Sequence, residues 1–493
     1  MRKLLCLFLL CLGACAEQQQ ADVNLFFTSD IEGVFWSRPE PLYGNEEIGG
    51  LAVLKSFLDK QTTPFVLLDG GNWFSQTPEG NLTKGDYFNN VSSSLPYSGR
   101  LFTEKDLVYG WGSLSHIIKG SSAPFILSNV ALSSGKIPAG VRSWLMEDVQ
   151  GIKIGIFGLV PQKSLRGKQR LGGLKISDEI EAARHSVALL KEKGAQVIVL
   201  LSALGASNEQ DALTDAVLAE EVSGIDVIIS SNLGREGAES HQIGKTLIVY
   251  PGSKLDSVAQ VGLFLNKNKE LTKVKFQDIV LYRRDFGMDS YVAELTEEVR
   301  RTARNQMDRP VGKLEEVLTG NLEGESSLGN WAADCLRKWA KTDVAIVNAD
   351  SLRKDMPAGT VTQYDLYQLY PYADHVTLLT MKGDSLLNAL EEGLNTTGHF
   401  AQISGLQVRY SSSALPGKRI VGAWVKGNPI SLKNTYRVAV TDYMLSGGAG
   451  HDGFIDSLEF KNTQVEMRTV LRLCLAGKNT EKAHILNRWR AVK

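Results

Sequence analysis

The stretch "FFTSDIEGVFW", residues 26–36, places two carboxylates at the exit of a predicted β-strand. Asp30 and Glu32 are two positions apart, and side chains with this spacing after a strand point the same way. Paired carboxylate oxygens are ligands for hard cations. Metal centres that activate water usually add imidazole ligands. The pair therefore predicts either part of a working metal site or part of a former metal site that no longer binds a metal.

Length and composition describe an ordinary globular protein. The chain has 493 residues, which predicts two domains plus connections. Hydrophobic residues make up 43% and charged residues 22%, both typical values. The net charge of −1 gives no electrostatic surface for nucleic acid. We therefore expect no nucleic-acid partner.

The N-terminal segment "MRKLLCLFLLCLGAC" predicts export. Two cations precede an apolar run of roughly ten residues, too short to span a bilayer but suited to a secretory signal. The ending "LGAC" resembles a bacterial lipobox, with cleavage before Cys15 and lipid on its sulfur. The alternative is a plain signal peptide with another cleavage point. We expect a signal over residues 1–15 and a lipid anchor in the cell envelope, on the periplasmic or extracellular side. The residue after Cys15 is Ala16, and not the aspartate that would suggest retention in the inner membrane, so we expect the outer membrane.

The cysteines give an open prediction. Cys6 and Cys11 would leave with the signal, so only Cys335 and Cys474 remain beside Cys15. Both lie in apolar, helical sequence, which fits two buried thiols or one disulfide equally.

Alternating strand-like and helical runs predict a layered α/β domain over residues 23–283. The run "VAQVGLFLNKNKELTKVKFQDIVLY" predicts a closing hairpin. A charged amphipathic helix within residues 284–308 joins it to a second α/β domain, residues 309–493. The basic ending "GKNTEKAHILNRWRAVK" predicts a solvated helix face.

Four motifs of the second domain resemble those of bacterial 5′-nucleotidases. "ESSLGNWAADCLR" is similar to the family's E-S-N-L-G-N-x-x-A-D-A helix, and "FAQISGLQVRY" to F-x-Q-x-S-G. "VAIVNADSLRKDMPAGTVTQYDLYQLYPYADHV" and "YRVAVTDYMLSGGAGHDGF" are similar to two further blocks, in the family's order. The resemblance implies a calcineurin-like metallophosphoesterase domain followed by a nucleotide-binding domain.

In the first domain the framework resembles the family while the implied metal ligands differ. The family holds two metals with two aspartates, an asparagine and several histidines. Here Asp30 is retained, Glu32 replaces a histidine, Asn72 replaces the bridging aspartate, and Asp106 aligns with the asparagine. Leu107 and Gly110 stand where the family keeps a His–Asp dyad, and Ala203, Asn232 and Gly234 replace further histidines.

These replacements imply that the usual dinuclear zinc or manganese centre is lost. None of the seven histidines falls at a motif position: His116, His185, His241, His375, His399, His451 and His484. Two alternatives stay open for Asp30, Glu32 and Asp106. They form an oxygen-only site for one divalent cation, the only cofactor considered, or they cap loops at strand ends.

The implied nucleotide pocket keeps more of its residues. Tyr372 and Tyr443 stand where the family sandwiches the base between aromatic rings, and tyrosine offers the same stacking face. Arg353 stands at a phosphate-binding arginine, and Asn348 opens the same loop. Asp350 departs from the pattern by placing a negative charge nearby. The alternative is that these residues stabilise the fold and hold no ligand.

Three functional hypotheses follow. The first is a lipid-anchored nucleotidase-like protein with impaired or lost dinuclear catalysis that binds a nucleotide or another phosphorylated ligand. The second is an active phosphoester hydrolase with one remodelled metal. The third is an envelope scaffold or partner-binding lipoprotein. No catalytic residue is assigned.

Overall fold

The computed structural model describes residues 20–74, 77–162, 172–206, 213–231, 237–394, 400–476 and 484–492. Cys15, Asn232, Gly234 and His399 lie outside these ranges, so the predictions that rest on them are untouched by the structure. Within the described ranges, no helix is both long and apolar enough to cross a bilayer.

Two large sheets build the first α/β layer structure. Seven strands pair in the order β17-β16-β1-β4-β5-β6-β8, and six in the order β14-β15-β13-β12-β10-β9. Two small sheets, β2-β3 and β7-β11, flank them. The strands are β1 Val23–Thr28, β2 Arg38–Glu40, β3 Glu46–Ile48, β4 Phe65–Asp69, β5 Tyr97–Arg100, β6 Phe125–Ile126, β7 Val130–Leu132, β8 Val141–Arg142, β9 Trp144–Val149, β10 Ile152–Leu159, β11 Leu174–Ile176, β12 Val197–Ser202, β13 Val227–Ser230, β14 Glu239–Ile243, β15 Thr246–Tyr250, β16 Ser257–Leu265 and β17 Leu271–Val280.

Strand β1 shows why the sequence folds this way. All six of its residues are buried, as expected for an apolar strand covered on both faces. It runs parallel to β4 and antiparallel to β16. The predicted hairpin is confirmed, because β16 and β17 pair antiparallel.

Helices pack around these sheets. Helix α5 begins after Asp178, whose side chain accepts a hydrogen bond from the backbone N–H of Glu181, as in an N-cap. The described helices of this part are α1 Leu51–Asp59, α2 Pro78–Thr83, α3 Asp86–Ser92, α4 Gly110–Gly120, α5 Glu179–Glu192, α6 Asp215–Glu221 and α7 Arg283–Phe286. A 3₁₀ turn, Asp106–Tyr109, precedes α4.

The connecting helix forms as predicted, as α8, Ser290–Met307. Asp289 caps it through a 2.8 Å hydrogen bond from the backbone N–H of Val292. It is not an isolated spacer, because it packs against α1, α2 and α3 and also contacts a helix of the second domain.

The second domain is also mixed α/β, which confirms the predicted fold class. Its five-stranded sheet has the order β22-β19-β26-β21-β27, its four-stranded sheet β25-β24-β23-β28, and β18 pairs with β20. Its strands are β18 Pro310–Leu314, β19 Val344–Asn348, β20 Gly359–Thr362, β21 His375–Lys382, β22 Ala401–Ser404, β23 Leu406–Ser411, β24 Ile420–Val425, β25 Asn428–Pro429, β26 Thr435–Thr441, β27 Glu459–Glu466 and β28 Trp489–Val492. Its helices are α9 Ser327–Ala340, α10 Gln363–Leu369, α11 Gly383–Gly393, α12 Asp442–Leu445 and α13 Met467–Ala476.

The open prediction for the cysteines resolves to a disulfide. Cys335 on α9 and Cys474 on α13 are bonded, with their Cα atoms 5.7 Å apart. The bond joins two helices that pack against each other in the domain core.

The predicted helix at the basic C-terminal end is wrong for residues 484–492. Strand β28 pairs there in parallel with β23. Trp489 is buried, and its indole N–H donates to the carbonyl of Ala401 at 2.8 Å. Arg488 is buried as well and pairs with Asp334 at 2.7 Å. Long-range pairing and burial of the tryptophan therefore override the local preference for helix.

Candidate functional site

Two loops meet at the ends of β1 and β4, and they carry three of the predicted metal-site residues. Asp30, Glu32 and Asn72 all have left-handed backbone conformations, with φ values of 48°, 56° and 59°. The backbone N–H of Asp30 donates to the carbonyl of Gly71 at 2.9 Å, and that of Glu32 to the carbonyl of Asn72 at 3.0 Å. Such conformations are uncommon for residues other than glycine and concentrate at functional sites.

The side chains of this cluster compensate one another's charge. The amide nitrogen of Asn72 donates to Oδ1 of Asp30 at 2.7 Å and reaches Oε1 of Glu32 at 3.5 Å. The ammonium of Lys105 lies 3.9 Å from Oδ1 of Asp30. Burial raises the pKa of Glu32, and the nearby charge of Lys105 opposes this rise. An amide and an ammonium therefore stand beside the two carboxylates.

The carboxylate of Asp106 connects two loops through hydrogen bonds. Its carboxylate accepts hydrogen bonds from the backbone N–H groups of Asn72 at 2.7 Å, Trp73 at 2.9 Å and Thr103 at 2.9 Å. Burial raises its pKa and these hydrogen bonds lower it. Both carboxylate oxygens are thus used to tie the loop after β4 to the loop after β5.

These contacts do not fit the dinuclear centre that the resemblance implies. Within the described ranges, no group of three or more histidine, cysteine, aspartate or glutamate residues lies close enough together to hold a metal ion. N–H groups already donate to the carboxylates of Asp30 and Asp106, whereas a dinuclear centre needs ligands on both metal ions. The geometry supports the loop-capping alternative. Occupancy of Asp30 and Glu32 by one divalent cation stays a prediction for metal analysis.

A buried cation below this cluster was missed by sequence reasoning. The guanidinium of Arg100 lies 4.7 Å from the ring centroids of both Trp73 and Tyr97. Next to it, Asp69 accepts hydrogen bonds from Thr28 Oγ1 at 2.5 Å and from the indole N–H of Trp73. Burial raises the pKa of Asp69 to about 7. The only sequence signal was Asp69 in "LLDGG", which marks the end of β4 but does not show which distant residues contact the aspartate.

In the second domain, the predicted ligand residues begin where β19 ends. Asn348 is fully buried, accepts a hydrogen bond from Ser351 Oγ at 2.8 Å and donates to the carboxylate of Asp350. Asn348 therefore holds the turn together. Arg353 is exposed, and its guanidinium reaches the carbonyl of Asp350 at 3.5 Å.

The two predicted stacking residues lie near this arginine. Burial raises the pKa of Tyr372 to about 12, and Arg353 and Tyr443 are among the groups close enough to influence it. Tyr443 is 41% exposed. A Cβ atom at Gly448 would lie 2.6 Å from the Tyr443 ring, so glycine lets the backbone pass beneath that ring. The structure thus brings a guanidinium and two tyrosines together at one surface.

Comparison with known proteins agrees with this architecture. Residues 310–456 match the 5′-nucleotidase C-terminal domain family. The 5′-nucleotidase of Vibrio cholerae is 22% identical over 514 residues, covering 92% of this chain and 90% of that protein. Residues 310–456 therefore belong to this domain family, and the chain as a whole is similar to 5′-nucleotidases. The crystal structure of the 5′-nucleotidase precursor from Thermus thermophilus superposes with a TM-score of 0.75 at 22% identity, covering 96% and 99% of the two chains.

Other similar proteins have different printed activities. The trifunctional nucleotide phosphoesterase protein YfkN of Bacillus subtilis is 24% identical over 463 residues. This chain spans only 30% of the length of YfkN and 27% of a second Bacillus subtilis relative, the endonuclease YhcR. The Thermus thermophilus sulfate thiohydrolase SoxB shares the fold with a TM-score of 0.66 at 16% identity. Since the fold serves different chemistries, the function must be argued from the site.

Proposed function

We propose that this protein binds a nucleotide or another phosphorylated small molecule in its second domain, with dinuclear-metal hydrolysis impaired or lost. The observation that carries the proposal is the convergence of Arg353, Tyr372 and Tyr443. A guanidinium grips phosphate oxygens in pairs. Aromatic rings stack on any nucleobase. The relatives named as nucleotidases support the same ligand class.

Contacts in the first domain support the proposal that dinuclear-metal hydrolysis is impaired or lost. Two metal ions that clamp a phosphate and generate hydroxide need ligands on both ions. In this chain, Asn72 donates to Asp30, and Asp106 accepts hydrogen bonds from three backbone N–H groups. Weak or absent turnover is the expected consequence.

We also propose that the protein acts outside the cytoplasm, held to the membrane by lipid on Cys15. The support is the sequence "LGAC" behind a short apolar run. The Cys335–Cys474 disulfide fits an oxidising compartment.

Calorimetry with AMP and adenosine tests ligand binding. Wild-type protein should bind AMP with no turnover, and Tyr443→Ala should weaken both ligands by roughly ten- to a hundredfold, because one stacking face is worth about 1–3 kcal/mol. Arg353→Ala should weaken AMP much more than adenosine, which has no phosphate for the guanidinium. Two exposed residues away from the pocket, Tyr291 and Arg490, provide matched alanine controls.

Phosphatase assays with Mn²⁺, Co²⁺, Zn²⁺, Mg²⁺ and Ca²⁺, together with metal analysis, test the proposal that dinuclear-metal hydrolysis is impaired or lost. Robust AMP hydrolysis with two bound transition-metal ions would overturn it. Hydrolysis that depends on a single ion would favour the remodelled-metal hydrolase. If neither AMP nor adenosine binds, the scaffold hypothesis takes the lead.

A further inference from the structure

The loop that carries Tyr372 is held by its own domain on one side. Arg468 on α13 is buried, and its guanidinium donates to the carbonyl of Tyr370 at 2.9 Å. The same guanidinium lies 3.8 Å from the ring centroid of Tyr367. The Tyr370 ring is fully buried and meets the Tyr372 ring edge-on, with centroids 5.9 Å apart. These contacts fix one side of the Tyr372 ring.

The next carbonyl of this loop is held from the first domain. The amide nitrogen of Asn81 on α2 donates to the carbonyl of Pro371 at 3.0 Å. Asn81 is buried, so breaking this bond would leave polar groups without water. Helix α2 also packs against α8 and α10, which places it at the junction of the two domains.

Tyr109 orients that asparagine. Its hydroxyl donates to the side-chain oxygen of Asn81, which leaves the amide nitrogen directed at Pro371. Burial raises the pKa of Tyr109, so the hydroxyl stays protonated and can donate, and Arg468 lies near enough to oppose the rise. Groups from both domains therefore converge at Tyr109.

The chain of contacts continues to Asp106 and to the loop after β4 that carries Asn72. Tyr109 ends the 3₁₀ turn that starts at Asp106. Asp106 is anchored by the backbone N–H groups of Asn72 and Trp73. The turn is thus rigidly attached to the loop after β4 at one end and to the Tyr372 loop at the other.

We propose that Asn81 and Tyr109 of the first domain are positioning residues for Tyr372, so that the first domain completes the ligand pocket of the second. The effect on ligand affinity rests on the proposed function, whereas the effect on the loop does not. In this arrangement the 3₁₀ turn Asp106–Tyr109 supports ligand binding in the second domain, and Asp106 is not needed as a metal ligand.

The test uses Asn81→Ala and the milder Tyr109→Phe, which removes only the hydroxyl. Asn90→Ala on the exposed face of α3 is the matched control. Hydrogen–deuterium exchange of the full-length protein without ligand should be faster in peptides covering residues 368–376 for both variants and unchanged for the control. AMP affinity, measured by calorimetry, should fall about three- to tenfold, the value of one hydrogen bond.

The two readouts separate this inference from the proposed function. Unchanged exchange at 368–376 in both variants would overturn the positioning role, whatever AMP does. Faster exchange in a protein that binds no AMP would support the positioning role and contradict the proposal that the protein binds a nucleotide. Faster exchange with unaltered AMP affinity would overturn the claim that the first domain completes the pocket. If Asn81→Ala fails to fold, Tyr109→Phe alone gives the same decision.

Discussion

Lys105 Nζ lies 3.9 Å from Oδ1 of Asp30, in the loop that follows β1. The lysine side chain is partly exposed, whereas that of Asp30 is almost completely buried. Lys105 also lowers the pKa of Glu32 against the effect of burial. One side chain therefore supplies positive charge to two buried carboxylates.

Replacing Lys105 by methionine should lower the free energy of unfolding by about 1 kcal/mol at pH 8. Burial already raises the folded-state pKa of Glu32 above its unfolded value, and losing Lys105 raises it further. A raised folded-state carboxyl pKa costs stability as pH rises above the unfolded value, so the loss caused by Lys105→Met should be small near the unfolded pKa and should grow as pH rises above it. Urea denaturation at several pH values measures it.

Two further variants show whether the cost arises from the ion pair. Lys418→Met, at an exposed loop position, should change stability little. In the Asp30→Asn background, part of the cost of Lys105→Met should disappear. Equal costs in both backgrounds would mean that Lys105 does not act through Asp30, and would leave its charge on Glu32 or its packing as the cause.

Asp69→Asn should flatten the dependence of stability on pH. The folded-state pKa is about 7 against 3.8 for the free side chain. The folded state thus binds more protons than the unfolded state in this window, and Asp69 makes stability fall as pH rises from about 4 to 7, by up to about 1.4 kcal/mol per pH unit. The carboxamide can keep the hydrogen bonds from Gly71 and Trp73.

Denaturation curves from pH 4 to 8 check this, with the exposed Asp456→Asn as control. A slope that stays the same in Asp69→Asn would show that Asp69 remains ionised throughout this range.

Reduction of the Cys335–Cys474 bond should lower the stability of the second domain. The bond closes a sequence separation of 139 residues. In the chain-entropy account such a loop is worth about 5 kcal/mol. Thermal unfolding with and without a reductant measures the loss, after a thiol count confirms reduction. The double variant Cys335→Ala/Cys474→Ala should be equally destabilised and indifferent to the reductant; if oxidised and reduced proteins melt together, the bond contributes nothing.

Cys15→Ser should release the protein from the membrane fraction or stall its precursor, because the lipid attaches to the sulfur. Membrane fractionation and a shift in electrophoretic mobility report the outcome. Cys11→Ser, within the apolar run, is the matched control and should be processed normally. Unaltered processing and membrane retention of Cys15→Ser would contradict the lipoprotein proposal.

The layered α/β fold could be predicted because apolar strands such as β1 and β10 are long and bounded by clear turn residues. The proximity of Asp30 and Asn72 could be expected only through the resemblance. The cluster around Arg100 could not be predicted, because the residues that contact Arg100 come from three strands and the loops after them. Its contacts also depend on how the aromatic rings are oriented. The disulfide stayed open because sequence gives no distance between α9 and α13. Strand β28 was missed because its pairing with β23 is a long-range contact.

Strand β1 lies in the interior of its sheet, where Val23 is paired with Leu263. Among the described strands β1 is made first, and it can reach its antiparallel neighbour only after the chain has been made as far as β16. The relevant contacts span nearly the whole domain, and topologies dominated by such distant contacts fold slowly. Until then the edge of β1 that faces away from β4 stays unpaired, and an unpaired apolar strand edge is prone to aggregate. Biogenesis of this protein should therefore depend on chaperones that keep the growing chain unfolded until β16 is available.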